Sequence, residues 1–315
     1  MDASPLVDTP AYVRDNTGAV VVTGADRLNY LQSLLSQDAE RREAGDVADF
    51  LYLDAKGNAK ATGRLVVRED DVLLLTPPDV AAPLADELAR YTFLLDAPNE
   101  DRSADWVIAR ARGPEPVDGS AVGAPDAPMR ARVGVDGVVL RDRSGGIDLA
   151  GPAPWVAEAA ESLGLPEAEA EDWHRWRIAF GEPAWGAEIT TGRRPQELGL
   201  LPTHVHLDKG CYPGQESIAK TYNLGRPRRS LCVVEFDAPV TAGAALDAGG
   251  KQGEVTSAAP DGAGSIALAL VPVDREGALR GEGEVTVDGV SGRVRSRVGE
   301  GLPQPGAERQ PGSAR

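Results

Sequence analysis

Lys209-Gly210-Cys211-Tyr212-Pro213-Gly214-Gln215-Glu216 is the stretch of this chain whose residues are hardest to explain as packing alone. Pro213-Gly214 fits the two central positions of a type II turn, because proline presets the first φ and glycine supplies the positive φ of the second. Lys209 and Cys211 stand two apart, so an extended backbone turns both to one side. An ammonium beside a thiol favours the thiolate, the nucleophilic and metal-binding form. Gln215 and Glu216 add hydrogen-bonding groups next to the turn. A cysteine in so polar a loop reads as a chemical group. Cys232, inside the apolar run Leu231-Cys232-Val233-Val234, reads as core.

The surrounding sequence has α+β texture. Val20-Val21-Val22 is a short strand, Asp26 a candidate cap, and Leu28, Leu31, Leu34 and Leu35 one face of the helix that follows. Phe50 to Asp54 reads as a strand, Lys56-Gly57-Asn58 as its turn, and Arg64 to Arg68 with Val72 to Leu75 as a hairpin. Pro83 to Tyr91, Pro154 to Leu163 and Ala168 to Phe180 read as helices, and Gly113 to Gly137 as a surface loop with one strand. Beyond Leu231 the pattern changes to strands at 231–236, 253–257, 265–273 and 283–287, separated by Gly/Asp turns and without helices. That spacing predicts a small antiparallel barrel. The expected division is 12–230, 231–299 and a disordered tail over 300–315, where Pro, Gly, Gln and Arg predominate.

Composition sets outer limits. The 315 residues carry 49 acidic against 33 basic side chains, a formal net charge of −16. Such a field repels polyanions, so neither nucleic acid nor an anionic membrane is expected as a direct partner. No apolar run reaches the length of a membrane helix, and the N-terminal residues lack the features of a secretion signal. Two cysteines make no disulfide framework, so a reducing cytoplasm is the expected location. His204 and His206 with Cys211 could be drawn as a metal site, but the ligand number falls short of a zinc pattern. No metal site is expected.

The eight residues from Lys209 to Glu216 match the K-G-C-[YF]-x-G-Q-E signature of the YgfZ family, and the chain resembles that family over about residues 12–299. Val22 to Arg27 with Tyr30-Leu31-Gln32, Leu53-Asp54-Ala55-Lys56-Gly57, Arg177 to Gly181, Trp185 to Glu188, and Pro195-Gln196-Glu197 resemble its other segments. Asn223-Leu224-Gly225-Arg226 leads into the expected barrel in the same way. The family is related to the glycine-cleavage T-protein and includes a mitochondrial iron–sulfur assembly factor. The resemblance implies a cloverleaf of interwoven α+β lobes, the second ferredoxin-like, with a small C-terminal barrel and a central pocket for tetrahydrofolate.

The resemblance also implies a role: a folate-binding accessory protein supporting iron–sulfur assembly or repair in client enzymes, affecting tRNA modification indirectly. Cys211 is then the working thiol and a transient cluster ligand, redox thiol or nucleophile, and Lys209 its polarising group or a folate contact. Tyr212, Gly214, Gln215, Glu216, Trp176, Trp185 and Arg226 are the expected cofactor-binding residues. Arg226, Arg228 and Arg229 form a basic cluster suited to the glutamate carboxylates of folate. Two departures from the transferase pattern weigh against aminomethyl transfer. Residues 57–63 hold no acid, and Ala179 stands where relatives often have glutamate. The alternatives are a folate-dependent C1 transferase and a non-catalytic folate sensor.

Overall fold

The computed structural model describes residues 4–224 and 227–307. Two compact units divide the chain, 1–51 with 61–173, and 52–60 with 174–315.

The first unit is built on two five-stranded sheets whose strands alternate along the chain. In order these are β1 (Ala11–Asn16), β2 (Gly18–Val22), β3 (Val47–Leu53), β4 (Ala59–Val67), β5 (Val72–Thr76), β6 (Asn99–Asp101), β7 (Val107–Arg112), β8 (Arg130–Val133), β9 (Val138–Arg141) and β10 (Ile147–Gly151). One sheet runs β3-β4-β5-β2-β6 and the other β1-β7-β10-β9-β8, so the adjacent strands β1 and β2 enter different sheets. This is the interweaving expected of the lobes. Helices α1 (Arg27–Leu34), α2 (Pro78–Ala89) and α3 (Ala153–Ser162) accompany the sheets. All five residues of β5 and all seven of β3 are buried, which explains why they are apolar apart from Thr76 and Asp49.

Three local expectations are corrected. Asp26 precedes α1 but its carboxylate does not cap the helix; it accepts a 2.8 Å bond from the Asp96 amide, and Asp96 answers through the Ala25 amide at 2.9 Å. Helix α2 begins at Pro78 rather than Pro83, since a proline in the first turn has no amide to leave unsatisfied. Strands β1, β6, β7 and β9 went unread because their inward residues are short runs or are interrupted by arginine. One such arginine, Arg112, is 1% exposed and lies 2.7 Å from Asp142 and 2.8 Å from Asp148. Burial opposes ionisation of Asp148, but the guanidiniums of Arg112, Arg64 and Arg110 outweigh it and hold the carboxyl below its usual range.

In the second unit, helices α4 (Ala170–Ala179, of which residues 174–179 belong here), α5 (Leu201–His204) and α6 (Gln215–Leu224) precede a closed barrel. Its strands are β11 (Arg229–Phe236), β12 (Ala245–Ala248), β13 (Lys251–Asp261), β14 (Gly264–Pro272), β15 (Glu284–Val287) and β16 (Val290–Arg297), closing in the order β11-β14-β13-β12-β15-β16. Period-two alternation fills it: Cys232, Val234 and Phe236 face inward from β11, and Ala267, Ala269 and Val271 from β14. Strand β16, Val290-Ser-Gly-Arg-Val-Arg-Ser-Arg297, carries little apolar signal and is a strand because β11 and β15 pair with it on both sides. The compact unit that holds the barrel also takes in residues 174–228.

Helix α4 is locked to the barrel by a buried ion pair. Glu188 is 0% exposed and accepts from Arg177 at 3.0 Å, from Thr256 Oγ1 at 2.7 Å and from Ser257 Oγ at 2.6 Å. Residues 300–307, expected to be disordered, are placed by hydrogen bonds, with the Leu207 amide donating to Pro305 O at 2.9 Å and Gln304 Nε2 to Val205 O at 2.9 Å. Residues 308–315 of the expected tail lie outside the described residues. No helix among the described residues is long and apolar enough to cross a membrane.

Candidate functional site

Two turns of the second unit face each other glycine to glycine. The first is the tip of the β3–β4 hairpin, Asp54 to Asn58. Asp54 caps it, accepting from the amides of Lys56 at 2.8 Å and Asn58 at 2.9 Å and from Asn58 Nδ2 at 2.9 Å. Partial burial works against the charge, but the bonds from Asn58 and Lys56 prevail and the Asp54 carboxyl is held below its usual range. The second is the turn Tyr212-Pro213-Gly214-Gln215, closed by the Gln215 amide on Tyr212 O at 3.4 Å, with Gly214 at φ +81°. That is the positive φ expected of the turn's second central residue. It runs straight into α6, whose Ser217 and Ile218 amides donate to Gly214 O.

Both glycines are required for the approach. A Cβ on Gly214 would lie 2.5 Å from Asp54 O and 3.0 Å from Gly57 Cα, and one on Gly57, itself at φ +81°, would lie 2.9 Å from Ser217 Cβ. Arg194 adds a 3.3 Å bond to Ser217 Oγ. The L-D-x-K-G and K-G-C-Y-P-G-Q-E segments are therefore one structural feature, far apart in sequence and in backbone contact.

The side chains on this scaffold divide by exposure. Cys211 is exposed. Tyr212 is 8% exposed, and burial pushes its phenol up to about 12. The backbone bends through Lys209 in place of the expected extended segment, and the Lys209 ammonium lies over the Tyr212 ring, 4.8 Å from the centroid. Such a cation–π contact is worth about 0.5–2 kcal/mol and orients the lysine. Gln215 is half-buried and Glu216 exposed at the start of α6. Cys232 lies in the barrel core, and burial drives its thiol up to about 12. The two cysteines thus sort as the sequence suggests.

The more distant expected residues are less concentrated. Trp176 is 1% exposed and stacks on Phe180, with ring centroids 5.0 Å apart, which places it in the packed interior. Trp185 is half-buried in the turn that bridges to Ile189. Arg226 lies outside the described residues. Arg229, expected in a free basic cluster, is instead bound to Glu197 at 3.3 Å, because that carboxylate lies beside the start of β11. His204 and His206 are engaged locally, with Thr203 Oγ1 and with the Asp208 amide. No group of three or more His, Cys, Asp or Glu among the described residues is arranged for a metal.

Sequence reasoning passed over one residue that the structure singles out. The Gln196 side chain has both its Oε1 and its Nε2 buried, with no hydrogen-bond partner among the described residues. An amide buried without partners costs about 1–3 kcal/mol per group, which a bound molecule with one donor and one acceptor would remove. The only sequence signal was its place in Pro195-Gln196-Glu197.

The tRNA-modifying protein YgfZ of Colwellia psychrerythraea is 24% identical over 219 residues, covering 68% of each chain. The chain is a homologue of the YgfZ proteins. A mitochondrial iron–sulfur cluster assembly factor IBA57 homologue of Cryptococcus neoformans is 27% identical over 243 residues, 68% of this chain and 63% of that one. The fold of this YgfZ homologue is that of glycine cleavage system aminomethyltransferase T from Bartonella henselae, with a TM-score of 0.78 at 20% identity, over 92% of this chain and 86% of that one. No family model matches the chain.

Proposed function

We propose that the protein is a tetrahydrofolate-binding accessory factor that supports assembly or repair of iron–sulfur clusters in client enzymes. On this reading it works in the cytoplasm, touches no membrane, and influences tRNA modification only through its clients. The observation that carries the reading is the exposed Cys211 thiol on a turn held by two facing glycines. A thiol so placed can reach a partner's cluster without the backbone moving, and it gives up its proton as it ligates iron. The names of the relatives, a tRNA-modifying protein and an iron–sulfur assembly factor, favour this role.

The residues present fit the folate. The unpartnered amide of Gln196 suits the donor–acceptor edge of a pterin, and the Lys209 ammonium, held over the buried Tyr212 ring, suits a carboxylate of the folate. Gly214 and Gln215 hold the turn, while Glu216 stands exposed at the start of α6. Bound tetrahydrofolate supplies a reduced pterin able to carry a one-carbon unit. The chain's own part is to bind and orient it. A titration with tetrahydrofolate, repeated for Gln196→Ala, Lys209→Ala and Cys211→Ser, tests the division of labour. Binding should weaken about tenfold in the first two and persist in the third; equal loss in all three would overturn it.

The aminomethyltransferase-like fold favours a second reading, a folate-dependent C1 transferase. The chemistry of the hairpin speaks against it. Its acid, Asp54, is committed to three N–H groups and is a weakened base, and Ala179 brings no carboxylate. Turnover of tetrahydrofolate with an aminomethyl donor should be undetectable.

A further inference from the structure

The arginines of this acidic chain are almost all spoken for. Among the described residues every arginine but three makes an ion pair or hydrogen bond through its side chain. The three without a side-chain partner are Arg228, Arg275 and Arg280, each exposed, and all three line one open surface depression of about 280 Å³ with Pro227, Val273 and Asp274. On a chain of net charge −16, unpaired cations gathered in one hollow are not a solubility device.

The one acid in the lining, Asp274, offsets one of the three charges and makes no ion pair with them, which leaves the lining with a net charge of +2. The Asp274 carboxylate accepts from the Ala278 amide at 2.8 Å and is spent on closing its own loop. Glu276 and Glu282, close in sequence, are not among the lining residues. The arginines come from two pieces of backbone that the fold ties together, Arg228 just before β11 and Arg275 with Arg280 in the loop after β14. The Val273 amide donates to Arg228 O at 3.0 Å, and Val273 bridges to Leu279, next to Arg280. Directly after Arg280 the chain holds two consecutive left-handed residues, Gly281 at φ 66° and Glu282 at φ 56°. Glutamate adopts that conformation only under constraint, and such strain is concentrated where a segment must present its side chains in one way.

We propose that this cavity is a binding site for the phosphate group of a small phosphorylated ligand, separate from the Cys211 turn. Three guanidiniums, each a planar fork of N–H donors, match the several oxygens of a phosphate better than a single carboxylate. The volume exceeds a bare phosphate, and Pro227 and Val273 give an organic body something apolar to rest on. The attraction between these cations and a dianion is screened at an exposed site, so binding should weaken as salt rises.

The test is calorimetric titration of the full chain at low salt with adenosine monophosphate, inorganic pyrophosphate and inorganic phosphate. Binding should be measurable below about 1 mM and should fall about tenfold in Arg275→Ala and in Arg280→Ala. It should be unchanged in Arg293→Ala, where a surface arginine paired with Glu284 is lost instead. Stronger binding of adenosine monophosphate than of inorganic phosphate assigns the site to an esterified ligand, and equal binding assigns it to the free ion. Thermal melts confirm that these surface variants fold. No binding of any probe at about 5 mM, or binding undiminished in the Arg275→Ala/Arg280→Ala double variant, overturns the proposal. So does tRNA binding lost in that double variant while small phosphates fail to bind.

Discussion

Cys211 and Cys232 stand 21 positions apart in one compact unit, and the fold gives them opposite chemistry. Around Cys211 the backbone is spent on turns: Pro213 and Gly214 reverse the chain, and Gly57 meets them from the hairpin tip. Cys211 and Glu216 are left facing solvent there, while Tyr212 is buried. Around Cys232 the backbone is a ladder between β14 and β16, and side chains alternate into a dry core. The same thiol is therefore accessible in one place and, at about 12, effectively fixed in its protonated form in the other. What separates an exposed cysteine from a packing one here is the backbone around it, more than any side-chain neighbour.

The largest effect should be in thiol reactivity. At pH 8 a maleimide should label Cys211 about a thousandfold faster than Cys232, whose reaction needs both opening of the barrel and loss of a high-pKa proton. One fast equivalent in the native chain and two after unfolding is the expected mass-spectrometric result; two fast equivalents would erase the contrast. Gly214→Ala should come next, at about 2–4 kcal/mol, since the added Cβ falls 2.5 Å from Asp54 O on a residue at positive φ. Chemical denaturation reads it, and a change below about 0.5 kcal/mol would mean that the two turns are not in contact. Smaller again is the paired comparison of serine variants. Cys232→Ser puts a hydroxyl into the barrel core and should destabilise by about 1–3 kcal/mol, against less than about 0.5 for Cys211→Ser.

The smallest effect is a pH dependence. The Tyr212 phenol stands at about 12 in the fold against an ordinary value of 10.0, so folding favours the neutral form. Its contribution to stability is complete below pH 10 and is lost as pH rises through the interval to about 12. In a spectrophotometric titration, Tyr212→Phe should remove one late-ionising tyrosine, and removal of an ordinary one would contradict the burial.

The barrel was legible in the sequence because β11, β13, β14 and β15 alternate and end at Gly/Asp turns, and the signature turn because proline and glycine each dictate a φ. The cloverleaf came from resemblance, since nothing in the spacing of β1 and β2 says that they join different sheets. Strand β16 was hidden because its partners, not its residues, make it a strand. The Arg177–Glu188 lock and the unpartnered Gln196 amide were hidden for the same reason: burial of a polar side chain depends on what folds over it. Asp26 shows the converse, a good local cap taken by a loop some seventy residues away.

The claim that Cys211 is the working group is tested most directly in cells whose own copy is replaced by Cys211→Ser. The activity of iron–sulfur enzymes should fall to the level of a deletion strain while the variant protein accumulates normally and still binds tetrahydrofolate. Activity equal to that of the unaltered protein would contradict the account.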